Sequence, residues 1–203
     1  MTIKIYHSRR ARSARVIWLL EELGVPYELE TLEFKPEVLH APAFLQVHPL
    51  GQLPALRDDD VTMFESGAIV QYLLEKYGAG RLQPQPGSAA SAIYLQWFHY
   101  GEASLASHMS EIVRQRFIQA PTAASEAILA LARTRFREAL AVIDRALEGR
   151  EYIAGDSFSA ADLMIVYPIV MARITRELPD EFKNVAAYFE RLKQRPAYAI
   201  AWA

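Results

Sequence analysis

Cysteine is absent from this sequence of 203 residues. Its absence excludes disulfide bonds, zinc–thiolate sites and a cysteine nucleophile. Any thiol chemistry that this protein performs must therefore use the thiol of a bound molecule.

The sequence also lacks a large excess of charge of either sign and a long run of apolar residues. The formal net charge is -2, which leaves no basic stripe to grip nucleic acid or an acidic membrane surface. Charged residues interrupt each apolar stretch well short of the roughly 20 residues that a membrane-spanning helix needs. Residues 1–15 are rich in Arg but have no long apolar core, which argues against a signal peptide. We therefore expect a cytoplasmic protein that binds neither nucleic acid nor a membrane.

Signatures of metal and phosphate chemistry are also missing from the sequence. The five histidines show no metal-ligand spacing. There is no Gly-rich phosphate loop, nucleophile elbow or HExxH sequence. The sequence therefore predicts no metal cofactor.

Residues 1–78 alternate strand and helix patterns, and we predict the order β-α-β-α-β-β-α. The predicted strands are 2–6, 27–31, 54–57 and 61–64, and the predicted helices are 13–23, 36–47 and 66–77. In the helix 13–23, Val16 and Leu19 recur at helical spacing, and we expect Arg15 on the opposite, polar face. Gly24 is the expected C-terminal stop of this helix.

Residues 79–87, which contain two Pro and two Gly, form the predicted linker. Beyond it the patterns are helical: two long apolar stripes, a helix that begins at Ser159 and a last helix that Pro196 stops. The plan is therefore a two-domain chain, with an α/β domain at 1–78 and an all-helical bundle at 88–203.

The segment Gly51–Leu56 (GQLPAL) places Pro54 at the start of a strand, directly after a turn. Proline donates no ladder hydrogen bond, so it is expected at strand starts, and a cis X-Pro bond often marks such a turn. A cis bond would turn the backbone N–H and C=O of Leu53 outward, where they could pair with an extended peptide. An ordinary turn proline is the alternative.

The segment Phe64–Ile69 (FESGAI) joins a strand end to a helix start. Ser66 is a suitable N-cap, and the adjacent N–H groups and positive helix end can hold a carboxylate. Glu65 beside it can hold an ammonium group, so the pair could recognise the head of an amino acid. A plain helix cap is the alternative.

A third segment, Gly155–Asp162 (GDSFSAAD), has a structural explanation. Ser159 and Asp162 stand at capping-box spacing, and Phe158 and Leu163 can close a hydrophobic staple. We expect this motif to fold the second domain and to do no chemistry.

The order of these features resembles the glutathione transferase family. The segments VIWLLEELGVPYE (16–28), HPLGQLPAL (48–56) and WFHYGEASL (97–105) are very similar to bacterial and fungal members. The capping box at 155–162 is the family's landmark in the second domain, and the resemblance covers essentially the whole chain. It implies a thioredoxin-like first domain, a helical-bundle second domain, glutathione as co-substrate and a homodimer.

The resemblance also implies roles for individual residues. Leu53 and Pro54 would present backbone to the cysteinyl part of glutathione, and Glu65 and Ser66 would hold its γ-glutamyl head. Two further residues would help to grip the tripeptide: Gln52, which matches the family's Gln before this Pro, and His40, which lies near the basic residue for the glycine carboxylate.

The sequence departs from the family where the thiol is activated. Serine-type members carry their Ser where this sequence has Ala11, and Tyr6 is two residues too close to Arg15 for the tyrosine-type spacing. We predict that Arg10 or Arg12, with backbone N–H groups at the start of the Ser13 helix, supplies the stabilisation instead. Lowering the pKa of a free thiol by roughly 2 units needs about 2.7 kcal/mol.

Alternatives remain for each of these assignments. Ser13 is either part of the activating group or a helix cap, and the cluster of Arg residues at 9–15 is either catalytic or a solvated face. The leading hypothesis is an enzyme that conjugates, reduces or cleaves small apolar electrophiles with glutathione.

The electrophile is expected between the first loop and the helical domain, near His108, Met109 and Tyr167. The rival hypothesis is a protein of the same fold that holds glutathione or a protein partner without turnover. A thioredoxin-type oxidoreductase is excluded because the chain has no cysteine.

Overall fold

The structure, a computed structural model, describes residues 2–118 and 120–203. It divides into two units, Met1–Gln83 together with Lys193–Ala203, and Pro84–Leu192. The elements of the first unit are β1 (Ile3–His7), α1 (Ser13–Leu23), β2 (Tyr27–Thr31), α2 (Pro36–Leu39), α3 (Pro42–Leu45), β3 (Ala55–Asp58), β4 (Val61–Phe64) and α4 (Ser66–Tyr77). Those that follow are α5 (Ala89–Tyr100), α6 (Ser107–Val113), α7 (Ala123–Ala146), α8 (Ala160–Thr175), α9 (Lys183–Lys193) and α10 (Pro196–Ala201).

The first unit is built on one sheet with the strand order β2-β1-β3-β4. β1 pairs with β2 in parallel and with β3 in antiparallel, and β3 pairs with β4 in antiparallel. The predicted order of elements is confirmed except at 36–47, where there are two helices instead of one. Each of them begins at a proline. Pro42 cannot continue α2 because its ring removes a backbone donor, and it starts α3 instead.

Helix α1 has the predicted bounds, and Gly24 ends it in the left-handed conformation at φ 64°. The prediction that Arg15 lies on a polar face is wrong, because Arg15 is only 1% exposed. Its guanidinium Nη1 donates to Ser66 Oγ of α4 at 3.2 Å. Trp18 and Leu19 follow Arg15 at helical i+3 and i+4 spacing, so all three side chains face the interior.

Among the described residues of the second unit, all of the secondary structure is helical. The predicted stripe from Tyr94 to Ile112 is buried, and it continues from α5 through a π-helical segment, Gly101–Ala106, into α6. A Cβ on Gly101 would lie 2.6 Å from the carbonyl carbon of Met164 in α8. Only glycine therefore allows the backbones to approach so closely at this point.

The C-terminal residues pack in the first unit, although the sequence assigned them to the helical domain. Pro196 stops α9 as predicted and also begins α10. The Tyr198 ring meets the Trp18 ring edge-on, with centroids 5.2 Å apart. Arg195 binds Glu22 of α1 through two hydrogen bonds of 2.6 and 2.7 Å. Residues 193–203 therefore extend the core around α1.

The predicted capping box at the start of α8 is confirmed. The Asp162 carboxylate accepts from the Ser159 N–H at 2.8 Å and from the Ser159 hydroxyl at 3.1 Å. It also accepts from the Ile153 N–H at 3.0 Å and from the Tyr188 hydroxyl at 2.7 Å. Asp162 is fully buried, so this carboxylate holds together the loop at 153–159, α8 and α9.

Replacing Asp162 with Ala is expected to lower the free energy of unfolding by at least about 3 kcal/mol, because each buried donor left unsatisfied costs about 1–3 kcal/mol. Urea denaturation measures the change. Asp156→Ala is the matched control, since Asp156 lies exposed in the same motif and should change stability by less than about 0.5 kcal/mol. Equal effects of the two variants would contradict the structural role of Asp162.

Candidate functional site

Three chain segments meet at one edge of the sheet in the first unit. Tyr6 near the end of β1 pairs with Ala55 at the start of β3. The loop after β1 and the turn before β3 therefore lie side by side. Arg15 of α1 contacts Ser66 at the start of α4, which brings a third segment to this edge.

The turn before β3 carries a cis peptide bond between Leu53 and Pro54. Of the two interpretations of the sequence, the cis turn is the one observed. Pro54 lies just before β3, so the strand ladder loses no donor. Leu53 is buried in a cluster with Tyr6, Ala11 and Phe44.

The same cluster contains Ala11, the residue at which the sequence predicts no activating side chain. Ala11 is 7% exposed and packs with Leu53, and the Tyr6 ring lies 5.6 Å from the Phe44 ring. The Ala11 methyl group is therefore part of a buried apolar cluster. The Ala11 side chain can donate no hydrogen bond, because it has no polar group.

The start of α4 differs in detail from its sequence interpretation. Ser66 is the first residue of the helix and Glu65 is the capping position, whereas the sequence predicted Ser66 as the cap. The Glu65 backbone has φ 75°, an uncommon conformation for a residue other than glycine. It leaves the Glu65 side chain exposed while Ser66 is buried against Arg15.

A positive charge thus lies directly behind the Ser66 hydroxyl. Sequence reasoning missed Arg15, although its spacing to Trp18 and Leu19 was the available signal. An arginine has donors only, so Ser66 Oγ must act as the acceptor in this hydrogen bond. The hydroxyl proton of Ser66 remains for another acceptor.

A buried histidine supports the end of β4. The His48 ring lies 4.7 Å from the Phe64 ring, and its Nδ1 accepts from the Leu50 N–H at 3.3 Å. Burial lowers the pKa of His48, and the Glu65 carboxylate opposes part of that effect. His48 is therefore close enough to Glu65 to feel its charge.

His40, a predicted contact of the tripeptide, lies against the turn that carries Gln52, the other predicted contact. Gly51 has φ 59°, and a Cβ on it would lie 3.2 Å from the His40 ring and 2.5 Å from the Leu39 carbonyl oxygen. The turn before Pro54 thus packs on the end of α2. Both His40 and Gln52 are exposed there.

The predicted activating residues occupy different environments. Ser13 is fully buried, and its Oγ lies 2.8 Å from His7 Nδ1. Burial lowers the pKa of His7, so its imidazole is neutral at neutral pH. Arg10 is exposed and has φ 66°, whereas Arg12 is half-buried directly before the first residue of α1.

The predicted electrophile contacts lie in the second unit. Met109 and Tyr167 are buried, at 2% and 8% exposure. His108 is half-buried, and burial lowers its pKa, with the Arg135 charge acting in the same direction. His108 therefore faces α7.

Two other kinds of feature are absent from the described residues. No group of three or more His, Asp or Glu side chains within 2–118 and 120–203 is arranged to hold a metal ion. In the same ranges no helix combines the length and the apolar character needed to cross a membrane.

Comparison with known proteins matches both parts of the chain. Residues 1–75 match the family model of the glutathione S-transferase N-terminal domain, and residues 126–191 match that of the C-terminal domain. Glutathione S-transferase 3 of Schizosaccharomyces pombe is 33% identical over 98% of this chain and 86% of its own length.

Solved structures extend the similarity to the fold. A glutathione transferase of Phanerochaete chrysosporium, in complex with oxidized glutathione, is 26% identical with a TM-score of 0.86, over 98% of this chain and 94% of that one. A family member from Pseudomonas fluorescens, with two glutathione bound, is 26% identical with a TM-score of 0.87, over 98% and 92%. The fold, the order of motifs and these matches agree, and the chain belongs to the cytosolic glutathione transferase family.

Proposed function

We propose that this protein binds glutathione at the sheet edge of its first unit and transfers the thiolate to small apolar electrophiles. The observation that carries the proposal is the convergence there of the cis Leu53–Pro54 turn and the Glu65–Ser66 helix start. We also propose that it acts in the cytoplasm as a homodimer, as the family resemblance implies.

The charges at the start of α4 suit the γ-glutamyl head. The Ser66 hydroxyl accepts from Arg15 and can donate its own proton to the carboxylate of the head. The Arg15 charge strengthens that hydrogen bond because the site is partly removed from water. The exposed Glu65 carboxylate can pair with the ammonium group of the same head.

The rest of the tripeptide follows the sheet edge. The backbone of Leu53 can pair with the cysteinyl residue as an added strand. His40 and Gln52 lie exposed on the next turn, where they can hold the glycine carboxylate. The oxidized glutathione in the Phanerochaete chrysosporium relative supports this class of ligand.

Thiol activation is proposed for the amino end of α1. Arg12 stands immediately before Ser13, the first residue of the helix. Its charge and the first N–H groups of the helix would act together on a thiolate. The Ser13 hydroxyl already contacts His7, so Arg12, with Arg10 as the second candidate, carries this part of the proposal.

A protein that holds glutathione without turnover is the second candidate function. The observation that favours it is Ala11, whose methyl group packs against Leu53 where a hydroxyl would stand. Turnover with a reactive aryl halide or a peroxide distinguishes the two, because a binding protein would show saturable glutathione binding and no glutathione consumption.

Glutathione should raise the melting temperature of the protein. A free ligand at ~100 times its dissociation constant stabilises the folded state by about 2.7 kcal/mol. Cysteinylglycine, which lacks the γ-glutamyl head, is the matched control and should have a much smaller effect. A melting temperature that is unchanged by millimolar glutathione would remove the proposed function.

Ser66→Ala and Glu65→Gln should each weaken glutathione binding by about 1.5–3 kcal/mol, because each change removes a charge-assisted hydrogen bond to the head. Calorimetric titration measures the affinity. Glu75→Gln, an exposed change on the same helix, should leave it unaltered. Normal binding by both site variants would show that the head is held elsewhere.

Arg12→Ala, or Arg10→Ala if that residue is responsible, should raise the pKa of bound glutathione by about 1–3 units. Activity should then be lost more at pH 6.5 than at pH 9, since less thiolate is present below the raised pKa. The thiolate absorbance against pH gives the value directly.

Arg9→Ala is the control for loss of one exposed charge in the same loop, and it should leave the titration curve in place. Tyr6→Phe tests the competing mechanism. A shift produced by Tyr6→Phe and by neither arginine variant would identify a tyrosine-type enzyme and refute the arginine proposal.

A further inference from the structure

His48 contacts both of the segments that are assigned to glutathione in the first unit. Its backbone carbonyl accepts from the Gly51 N–H at 2.9 Å, within the turn that leads to Leu53. Its ring lies 4.7 Å from the ring of Phe64, the residue directly before Glu65. His48 is only 3% exposed. One buried imidazole therefore joins the turn that presents backbone to the ligand and the residue proposed to hold its ammonium group.

A hydrogen bond from the Leu50 N–H fixes where the neutral ring carries its proton. His48 Nδ1 accepts this bond at 3.3 Å, so the proton of the neutral imidazole is on Nε2. A second proton can go only to Nδ1, which would then be a donor facing another donor. Protonation of His48 therefore removes the acceptor that holds the turn at Leu50.

Glu65 carries the charge that acts on this ring. Burial lowers the pKa of His48, whereas the Glu65 carboxylate and a hydrogen bond with the His48 backbone raise it in part. The adjacent segments carry no ionised side chain, since α3 is Pro42–Leu45 (PAFL) and residues 49–53 are PLGQL. His40 of α2 is a further titratable group beside this turn.

The Glu65 carboxylate is also the group proposed to pair with the ammonium of the γ-glutamyl head. An imidazolium and an ammonium that share one carboxylate repel each other, so each weakens the binding of the other. The coupling between two ligands of one protein is reciprocal. Glutathione would therefore disfavour the proton on His48 by the same factor by which that proton weakens glutathione binding.

We propose that His48 is a positioning residue for glutathione recognition, and that its protonation weakens the hold on the γ-glutamyl head. The neutral ring supports Phe64 and the turn at Leu50, and the charged ring competes with the ligand's ammonium for Glu65. This inference rests on the proposed function, because it concerns the same glutathione site. Affinity is lost as the pH falls through the pKa of His48, which burial places below its usual value.

Calorimetric titration with S-methylglutathione at about pH 8 and about pH 5 measures the effect, because this ligand has no thiol proton to lose. The wild-type protein should bind it at least about threefold more weakly at the lower pH. This factor corresponds to a pKa change of about 0.5 unit, below the 1–3 units of a direct ion pair. His48→Asn keeps an acceptor for the Leu50 N–H but cannot become charged, so its affinity should not fall at the lower pH.

Two other histidines supply the matched controls. His99 is exposed on α5, and His99→Asn should keep the wild-type fall in affinity. A protonated His40 would attract the glycine carboxylate and strengthen binding at low pH. His40→Asn should therefore make the fall larger. Only the loss of the fall in His48→Asn alone identifies His48 as the group responsible.

The proton resonance of the His48 ring against pH is a second measurement, and a purely structural role would not change it. In the wild-type protein, saturating S-methylglutathione should lower the pKa of His48 by at least about 0.5 unit. The glutaryl analogue of this ligand, which lacks only the amino group, should lower it less. This measurement keeps the test decisive if His48→Asn does not fold.

An equal fall in affinity in the wild type and in His48→Asn would overturn the inference, as would no fall in the wild type. Loss of the fall in His99→Asn or His40→Asn would also overturn it. So would a His48 pKa that the ligand leaves unchanged, or that the glutaryl analogue shifts equally. In all these cases S-methylglutathione still binds at about pH 8 and the proposed function stands. Absence of binding at that pH would contradict the proposed function and, with it, this inference.

Discussion

The site in the first unit depends on one buried contact, the hydrogen bond from Arg15 to Ser66. It joins the first turn of α1 to the first residue of α4. Because Arg15 is 1% exposed, its charge acts through a medium that screens it less than water does. The contact fixes Ser66 as an acceptor toward Arg15 and leaves its proton for another acceptor. The packing that buries α1 therefore also sets the charge behind the proposed carboxylate site.

The thiol end of the site is organised differently from the carboxylate end. At Ala11 a methyl group packs with Leu53 and Tyr6, so this position offers no side-chain hydroxyl. What remains within the same loop is charge, from Arg10 and Arg12, and the start of α1. We propose that the electrostatic field of these groups, rather than a hydroxyl group, stabilises the thiolate. Such a field is screened by salt, unlike the buried contact between Arg15 and Ser66.

Much of the fold could be predicted because local signals agree with the tertiary structure. The bounds of α1 follow from its apolar spacing and Gly24, and the capping box of Ser159 and Asp162 is visible in the sequence. Arg15 was misplaced because a charged residue is usually assigned to solvent, and only the position of Ser66, 51 residues away, explains its burial. The packing of Tyr198 on Trp18 is equally non-local. Ser66 was predicted to be the N-cap, but Glu65 is the N-cap and Ser66 is the first helical residue. The sequence does not show the backbone conformation of Glu65 that causes this difference.

The most direct measurement is a crystal structure of the protein with glutathione bound. The account predicts the γ-glutamyl carboxylate within hydrogen-bond distance of Ser66 Oγ, its ammonium group beside Glu65, and the cysteinyl backbone paired with Leu53. The sulfur should then lie at the amino end of α1 within about 4–6 Å of an arginine guanidinium. Glutathione bound away from Ser66 and Leu53 would contradict the central claim. A sulfur in contact with the Tyr6 hydroxyl would contradict the account of activation alone.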